Sequence, residues 1–281
     1  MASTEITPLT RRFLSAAVLL PLALAAIWAG GGWFAALLLV AAGLMAKEWI
    51  DICFSRGGGS GPWTARPDPA AVVFLGAVIL AAIAATLDRY AAAFFIAVAG
   101  LVAVGALAGT RLKGDGIVLA LGVPYIVAPV AAAAWIADAP DHGVRALFWV
   151  LATVWATDIG AFFAGRLIGG PRLAPSVSPA KTWSGLFGGL IAAASVAAGA
   201  GIAGLIPLSA GIVGLGVGVS LVAQFGDLIE SKFKRHFEVK DSGTLIPGHG
   251  GVLDRLDSLL TALPFFAAVE LSIGNGASLW R

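Results

Sequence analysis

The chain has 281 residues, of which 59% are hydrophobic and only 12% are charged. Soluble domains carry about 25% charged residues, and the apolar residues here form long runs rather than short alternating segments, which excludes a soluble domain and a membrane β-barrel. The net charge of +2 provides no overall positive field, so we expect no nucleic-acid partner. The composition predicts an all-α, polytopic membrane protein embedded in a lipid bilayer.

Nine apolar segments follow one another along the chain, separated by glycine, proline or charged residues. Each is long enough to cross a bilayer as a helix, which takes about 18 or more residues. They predict about nine transmembrane helices, at residues 12–29, 32–54, 70–87, 91–109, 116–137, 145–165, 183–206, 209–229 and 252–272. The first segment follows a basic pair and has an alternative interpretation as a signal peptide, but its length favours a span.

The basic residues predict the orientation of these spans. With the N-terminus in the cytoplasm, 15 of the 18 lysines and arginines lie on the cytoplasmic side, and only Arg89, Arg145 and Arg281 lie on the other. This asymmetry follows the positive-inside rule and predicts a multi-pass protein of the inner membrane. Polar loops at 166–182 and 230–251 then face the cytoplasm. We expect scaffold helices in residues 1–110 and catalytic helices in residues 111–281.

Four aspartates lie within or at the edge of the last apolar segments: Asp158, Asp227, Asp254 and Asp257. An aspartate within a membrane costs about 2.5–3.5 kcal/mol and indicates a functional site, unless a salt bridge or the interface accommodates it. Asp254 and Asp257 are three residues apart, so they are expected to share one helix face and to repel each other. Mg²⁺ would offset this repulsion, because it binds carboxylate oxygens and keeps water ligands for phosphates.

Two glycine- and lysine-containing loops indicate anion binding beside these acids. The sequence GHGG at 248–251 precedes a predicted helix, where free backbone N–H groups attract phosphate. Lys232, Lys234, Arg235 and Lys240 flank it, and the SPAKTW segment presents Lys181 between two capping residues. Acids, lysines and a glycine loop together predict phosphoryl or nucleotidyl transfer in a cleft at the cytoplasmic surface.

The stretch SKFKRHFEVKDSGTLIPGHGGVLDRLDS, residues 231–258, resembles the pattern of the CDP-diacylglycerol synthases, also called phosphatidate cytidylyltransferases. The pattern is a serine, a Lys-Arg pair, a Lys-Asp pair, a Pro-Gly-His-Gly-Gly turn and Asp-Arg-x-Asp. Residues 154–169 and 173–185 are also similar to this family, whereas the N-terminal half agrees only in being apolar. Ser184 departs from the family, many members of which have an acid there.

The resemblance implies that CTP and phosphatidic acid react to give CDP-diacylglycerol and pyrophosphate. It also implies Mg²⁺, with K⁺ as a second cation, and a homodimer. We expect Asp227, Asp254, Lys234 and Arg235 to be catalytic, and metal to bind at Asp158, Asp227, Asp254 and Asp257. The expected substrate-binding residues are Ser178, Lys181, Thr182, Ser231, Lys232, Lys240, Asp241, Gly248, His249, Gly250, Gly251 and Arg255. His249 is expected to contact phosphate rather than to act as a base.

Two other classes of membrane protein compete with this interpretation. Intramembrane acids and glycine-broken helices also occur in ion-coupled secondary transporters, but transporters place their sites near the bilayer midplane and often in two matching halves. Transferases that consume a CDP-alcohol bind metal through a DGxxAR-type helix, a motif that this sequence does not contain. The clustering of polar groups at one face and in one half favours the synthase.

Overall fold

A computed structural model describes residues 8–55, 67–109, 112, 114–246, 248, 250–273 and 280. The side chains of residues 8–14 and 16 are not described. Several residues used in the sequence predictions lie outside the described part of the chain: Arg56, Arg66, Arg111, Lys113, Pro247, His249 and Arg281.

The described residues form ten α-helices and one antiparallel β-hairpin. The helices of the N-terminal half are α1 (Pro8–Ala29), α2 (Gly31–Ser55), α3 (Pro69–Thr86), α4 (Tyr90–Ala108) and α5 (Asp115–Ala137). The elements of the C-terminal half are α6 (Gly143–Leu167), β1 (Arg172–Ala174), β2 (Ser178–Thr182), α7 (Trp183–Ile202), α8 (Ala210–His236), α9 (Leu253–Leu256) and α10 (Leu259–Ser272).

Helix occupies most of every predicted apolar segment, but three features differ from the prediction. Helix α8 continues to His236, so the predicted loop 230–251 begins with two helical turns whose basic residues suit the negative end of the helix dipole. The predicted loop 166–182 contains the β-hairpin, a small exception to the all-α prediction. The ninth segment is broken, because α9 ends at Leu256 and α10 begins at Leu259.

Six of the described helices, α3 to α8, are long and apolar enough to cross a membrane. Their surfaces carry large apolar side chains, such as Phe94 and Phe95 on α4 and Phe162 and Phe163 on α6. Exposed side chains of this kind suit contact with lipid. The helices therefore fit a polytopic α-helical membrane protein, while the count of nine spans and the cytoplasmic N-terminus stay predictions.

The helices belong to two compact units, the first of which contains residues 1–131 and 237–256. Within it, α3 packs between α2 and α4. Gly100 of α4 lies so close to α3 that an added Cβ would be 2.5 Å from the Cβ of Ala77. The Trp49 Nε1–H of α2 donates to the Val118 carbonyl oxygen of α5 at 3.3 Å. These contacts hold α2 in place and thereby fix the position of its polar end.

The second unit contains residues 132–236 and 257–281. Its helices α6 and α7 meet at Gly160 and Gly188, where a Cβ on either glycine would be 2.7 Å from the carbonyl oxygen of the other. Small residues allow such close backbone approach in membrane helices. Helix α8 packs against α7 and α10, and the Thr261 hydroxyl of α10 donates to the Val222 carbonyl oxygen of α8 at 3.0 Å. The unit thus presents α6, α8 and the start of α10 as a rigid support for polar groups.

Candidate functional site

In the second unit, the predicted catalytic Asp227 forms an ion pair with the predicted phosphate-binding Lys181. The Lys181 Nζ lies 2.7 Å from Asp227 Oδ2, and both side chains are partly exposed. The other carboxylate oxygen, Oδ1, accepts a hydrogen bond from the Ser231 hydroxyl at 3.2 Å. The structure therefore brings together three of the predicted site residues, from β2 and from two consecutive turns of α8.

The β-hairpin fixes the backbone that carries Lys181. Strand β2 ends at Thr182, whose side-chain oxygen caps α7 by accepting from the Gly185 N–H at 3.0 Å. The Ser184 hydroxyl donates to the Gly169 carbonyl oxygen in the chain just before the hairpin. Ser184, where the family pattern often has an acid, thus has a structural role here that the sequence did not reveal.

Asp257 and Asp158 add two further carboxylates to the Asp227 environment. Asp257 lies in the turn before α10, outside the candidate spans, and accepts from the Ser258 N–H at 2.7 Å. Burial raises the pKa of Asp257 to about 7, and the neighbouring Asp227 carboxylate adds to the rise. Asp158, on the surface of α6, is close enough to interact electrostatically with both. We call Asp158, Asp227 and Asp257 the carboxylate cluster.

The carboxylate cluster has the right donor atoms for Mg²⁺, which prefers oxygen ligands. Within the described part of the chain, however, no three His, Cys, Asp or Glu side chains are close enough to coordinate one ion. Lys181 supplies the positive charge next to Asp227 instead. The donor atoms are thus of the kind that Mg²⁺ binds, but these three carboxylates are not close enough to share one ion, and binding at Asp227 also requires the Lys181 ammonium to move aside.

Lys234, which is expected to be catalytic, is paired within its own helix. Its Nζ lies 3.1 Å from Glu230 Oε1, and the Glu230 side chain is only 1% exposed. A glutamate four residues before a lysine is the favourable order for a helical ion pair, so the spacing alone could have predicted this contact. The flanking Lys232 and Arg235 are exposed, and they are the α8 cations best placed to meet an anion from solution.

In the first unit, Asp254 holds the backbone on either side of the glycine loop. Its Oδ2 accepts from the Ser242 N–H at 2.7 Å, the Ser242 hydroxyl at 3.0 Å and the Gly251 N–H at 2.9 Å. Asp254 belongs to α9, whereas Asp257 follows the end of that helix. The prediction that these two aspartates share a helix face is therefore wrong, because the helix stops between them.

The glycine loop adopts conformations that require glycine. Gly248 and Gly250 have φ angles of 78° and 81°, which residues with a Cβ rarely adopt. The Ile246 N–H donates to the Gly250 carbonyl oxygen at 2.9 Å and closes a tight turn. The next amide, that of Gly251, donates to Asp254, so phosphate could bind this amide only by displacing the carboxylate.

Glu48 of α2, which the sequence pattern does not single out, also contacts this loop. Its carboxylate accepts from the Val252 and Leu253 N–H groups at 2.8 and 2.9 Å. The available signal was the one applied to the aspartates, an acid at the end of an apolar segment, but residues 1–110 were interpreted as scaffold. Of the other residues predicted in this unit, Lys240, Asp241 and Arg255 are exposed.

The model of the Cytidylyltransferase family matches residues 10–272 of this chain. The chain belongs to the cytidylyltransferase family. This match includes the N-terminal helices and confirms the family predicted from residues 231–258. The ion-coupled transporter gains no support from it.

Individual relatives agree with this assignment. Phosphatidate cytidylyltransferase of Brucella suis is 53% identical over 122 residues, which cover 43% of this chain and 44% of that protein. The proteins of the same name from Haemophilus influenzae and Bacillus subtilis are 48% identical over 140 residues and 40% identical over 126 residues. These alignments cover 46% and 44% of this chain, and 46% and 47% of the relatives. In each of them the chain spans less than half the length of the curated relative.

Proposed function

We propose that this protein transfers the cytidylyl group of CTP to phosphatidic acid, giving CDP-diacylglycerol and pyrophosphate. The observation that carries the proposal is the Lys181–Asp227 ion pair within the carboxylate cluster. It joins a lysine, of the kind that binds phosphate, to an aspartate, of the kind that binds a metal, in a chain of the cytidylyltransferase family. The relatives named phosphatidate cytidylyltransferase support the choice of lipid substrate.

The reaction needs two anions to be brought together rather than a base. Phosphatidic acid carries a phosphate monoester that is already ionised near neutral pH, since the second pKa of such a group is about 6. One of its oxygens attacks the α-phosphorus of CTP, and the bond from that phosphorus to the bridging oxygen of the β-phosphate breaks. The departing pyrophosphate takes the bonding electrons, so positive groups around it lower the barrier.

Different residues of the second unit bind the nucleotide and offset its charge. Lys181 is released from Asp227 and holds a phosphate of CTP, while Lys232 and Arg235 attract the nucleotide to the surface. Asp158, Asp227 and Asp257 would have to approach one another to hold Mg²⁺ together, with K⁺ as a second cation. The metal would offset the negative charge of the triphosphate. Lys234 stays on Glu230 and keeps that buried carboxylate neutralised.

In the first unit, we assign to Asp254 the task of holding the glycine loop in shape, because its Oδ2 accepts from the Ser242 and Gly251 amides and lies within hydrogen-bond distance of the Ser242 hydroxyl. The metal-ligand role of Asp254 stays a prediction. We further propose that the site faces the cytoplasm, from which CTP enters, that phosphatidic acid reaches it from the bilayer, and that the protein is a homodimer in the inner membrane.

The activity is tested with purified protein in detergent micelles, radiolabelled CTP and phosphatidic acid. We expect the label to enter the organic phase when Mg²⁺ is present and to remain in water when EDTA is added. The product is identified by its migration with authentic CDP-diacylglycerol. Folded protein that moves no label into the lipid, with Mg²⁺ and K⁺ both supplied, would contradict the proposed function.

The variant Lys181→Ala tests the role of this lysine in binding phosphate. A hydrogen bond to a charged group contributes about 1.5–3 kcal/mol, so we expect the KM for CTP to rise about 10- to 100-fold. Initial rates over a range of CTP concentrations measure it. Arg89→Ala, an exposed cation at the start of α4, is the matched control and should leave both KM values unchanged. Unaltered KM values for both substrates in Lys181→Ala would show that Lys181 does not bind them.

A further inference from the structure

Glu48 is a buried carboxylate whose partners come from the far end of the sequence. The residue is 5% exposed and lies on α2. Its Oε1 accepts from the Val252 N–H at 2.8 Å, and its Oε2 accepts from the Leu253 N–H and the Ser242 hydroxyl, each at 2.9 Å. Three directed hydrogen bonds thus connect an N-terminal helix to the segment that follows the glycine turn.

These contacts differ from those that would merely neutralise an acid. The partners are two backbone amides and a hydroxyl, which fix a conformation rather than compensate a charge. Burial of a carboxylate is costly unless it is fully hydrogen-bonded, so a change in the loop that removed these donors would be strongly opposed. Glu48 therefore restrains Val252 and Leu253, the residues at the start of α9.

Glu48 and Asp254 act on the same few residues. The Ser242 hydroxyl lies 2.9 Å from Glu48 Oε2 and 3.0 Å from Asp254 Oδ2. Because a hydroxyl has one proton, it donates to one carboxylate at a time, while the Ser242 N–H stays with Asp254. Asp254 holds the Gly251 amide and Glu48 holds the next two. The two acids together hold three consecutive amides.

We propose that Glu48 is a positioning residue for cytidylyl transfer. It holds Gly251–Leu253 and Ser242, and through them the short helix α9, in the geometry that the reaction needs. This inference rests on the proposed function. It assigns to the N-terminal helices a part in catalysis, beyond the scaffold role that the sequence predicted, without contact between Glu48 and either substrate.

The test compares Glu48→Gln with wild-type protein. Glutamine keeps the size of the side chain, but its amide group offers one oxygen instead of two, so at least one of the three donors loses its acceptor. A misplacement of about 1 Å can cost about 100-fold in rate, and we expect a fall of that order in kcat, with KM values for CTP and phosphatidic acid within about twofold of wild type. Asp51→Asn, one turn further along α2, is the matched control, because its carboxylate pairs with the exposed Lys47 of the same helix.

Two further measurements separate positioning from simple structural support. Hydrogen exchange followed by mass spectrometry should show faster exchange at the Val252 and Leu253 amides in Glu48→Gln, with exchange in α3 and α8 unchanged. In a double-mutant cycle, Ser242→Ala should lower kcat. The fold reduction of kcat in the double variant should be smaller than the product of the two single fold reductions, because both changes remove the same hydrogen bond.

Several outcomes would overturn the inference. One is a kcat for Glu48→Gln within twofold of wild type. Another is unchanged exchange at residues 252 and 253, and a third is exchange that rises throughout the protein, which indicates general destabilisation. If the wild-type protein itself transfers no label, the proposed function fails and the catalytic role of Glu48 fails with it, whereas the exchange measurement still decides whether Glu48 holds the loop.

Discussion

Replacement of Asp227 by asparagine is expected to lower the turnover of CTP by about 100- to 1,000-fold or more, as for the loss of a major electrostatic group at a reacting centre. Asparagine has the shape of aspartate but no charge. It can neither form the ion pair with Lys181 nor balance a metal cation. The measurement is the rate of lipid-soluble label from CTP at saturating substrates, normalised to the protein recovered in the monodisperse peak after size exclusion.

The control for Asp227→Asn is Asp88→Asn, in the short connection between α3 and α4. Asp88 has a φ of 57°, a left-handed conformation that asparagine also tolerates. The same chemical change there should leave turnover unaltered. If Asp227→Asn kept more than half of the wild-type rate, neither a metal-binding nor an electrostatic role for this carboxylate would survive.

Replacement of Gly251 by alanine is expected to abolish most activity. A Cβ at this position would overlap the Ser242 hydroxyl and the Glu48 carboxylate, so one side of the hydrogen-bond network has to move. The Gly251 N–H would then lose its alignment with Asp254 Oδ2. We expect turnover to fall about 100-fold, in line with the sensitivity of catalysis to small displacements, and the melting temperature in detergent to decrease.

Gly76→Ala is the matched control for Gly251→Ala. Gly76 lies within α3 of the same unit, and nothing is within 4 Å of the position that its Cβ would take. Alanine there should leave turnover and melting temperature close to wild type. Normal turnover in Gly251→Ala would show that the loop can rearrange without consequence, and that its conformation is unimportant for the reaction.

The helices could be predicted from the sequence because hydrophobic runs and their breaks are local features. Each apolar segment became helix, whereas the end of α8 was misplaced, since its last two turns are polar and look like a loop in a hydropathy profile. The break between α9 and α10 was also missed. The anchoring of the preceding loop by Asp254 could not be predicted, because it joins residues twelve positions apart.

The candidate site was predictable where it depends on charge in an apolar context. Asp227 and Lys181 were both identified from the sequence, but their ion pair joins residues from a hairpin and a helix, and the hairpin was not predicted. Glu48 was overlooked because its partners are about 200 positions later in the chain. Sequence patterns point to acids and lysines separately; only the fold shows which of them neutralise each other.

The Lys181–Asp227 ion pair has a thermodynamic consequence. One ammonium cannot neutralise Asp227 and bind a triphosphate oxygen at full strength at the same time. Any cation that replaces Lys181 at Asp227 releases the lysine for an anion, and any anion that draws Lys181 away exposes Asp227 to a cation. Occupancy of either position must then raise affinity at the other by the same factor, because such coupling is reciprocal. In the resting protein, the ion pair competes with both ligands. Cation and nucleotide should therefore bind cooperatively.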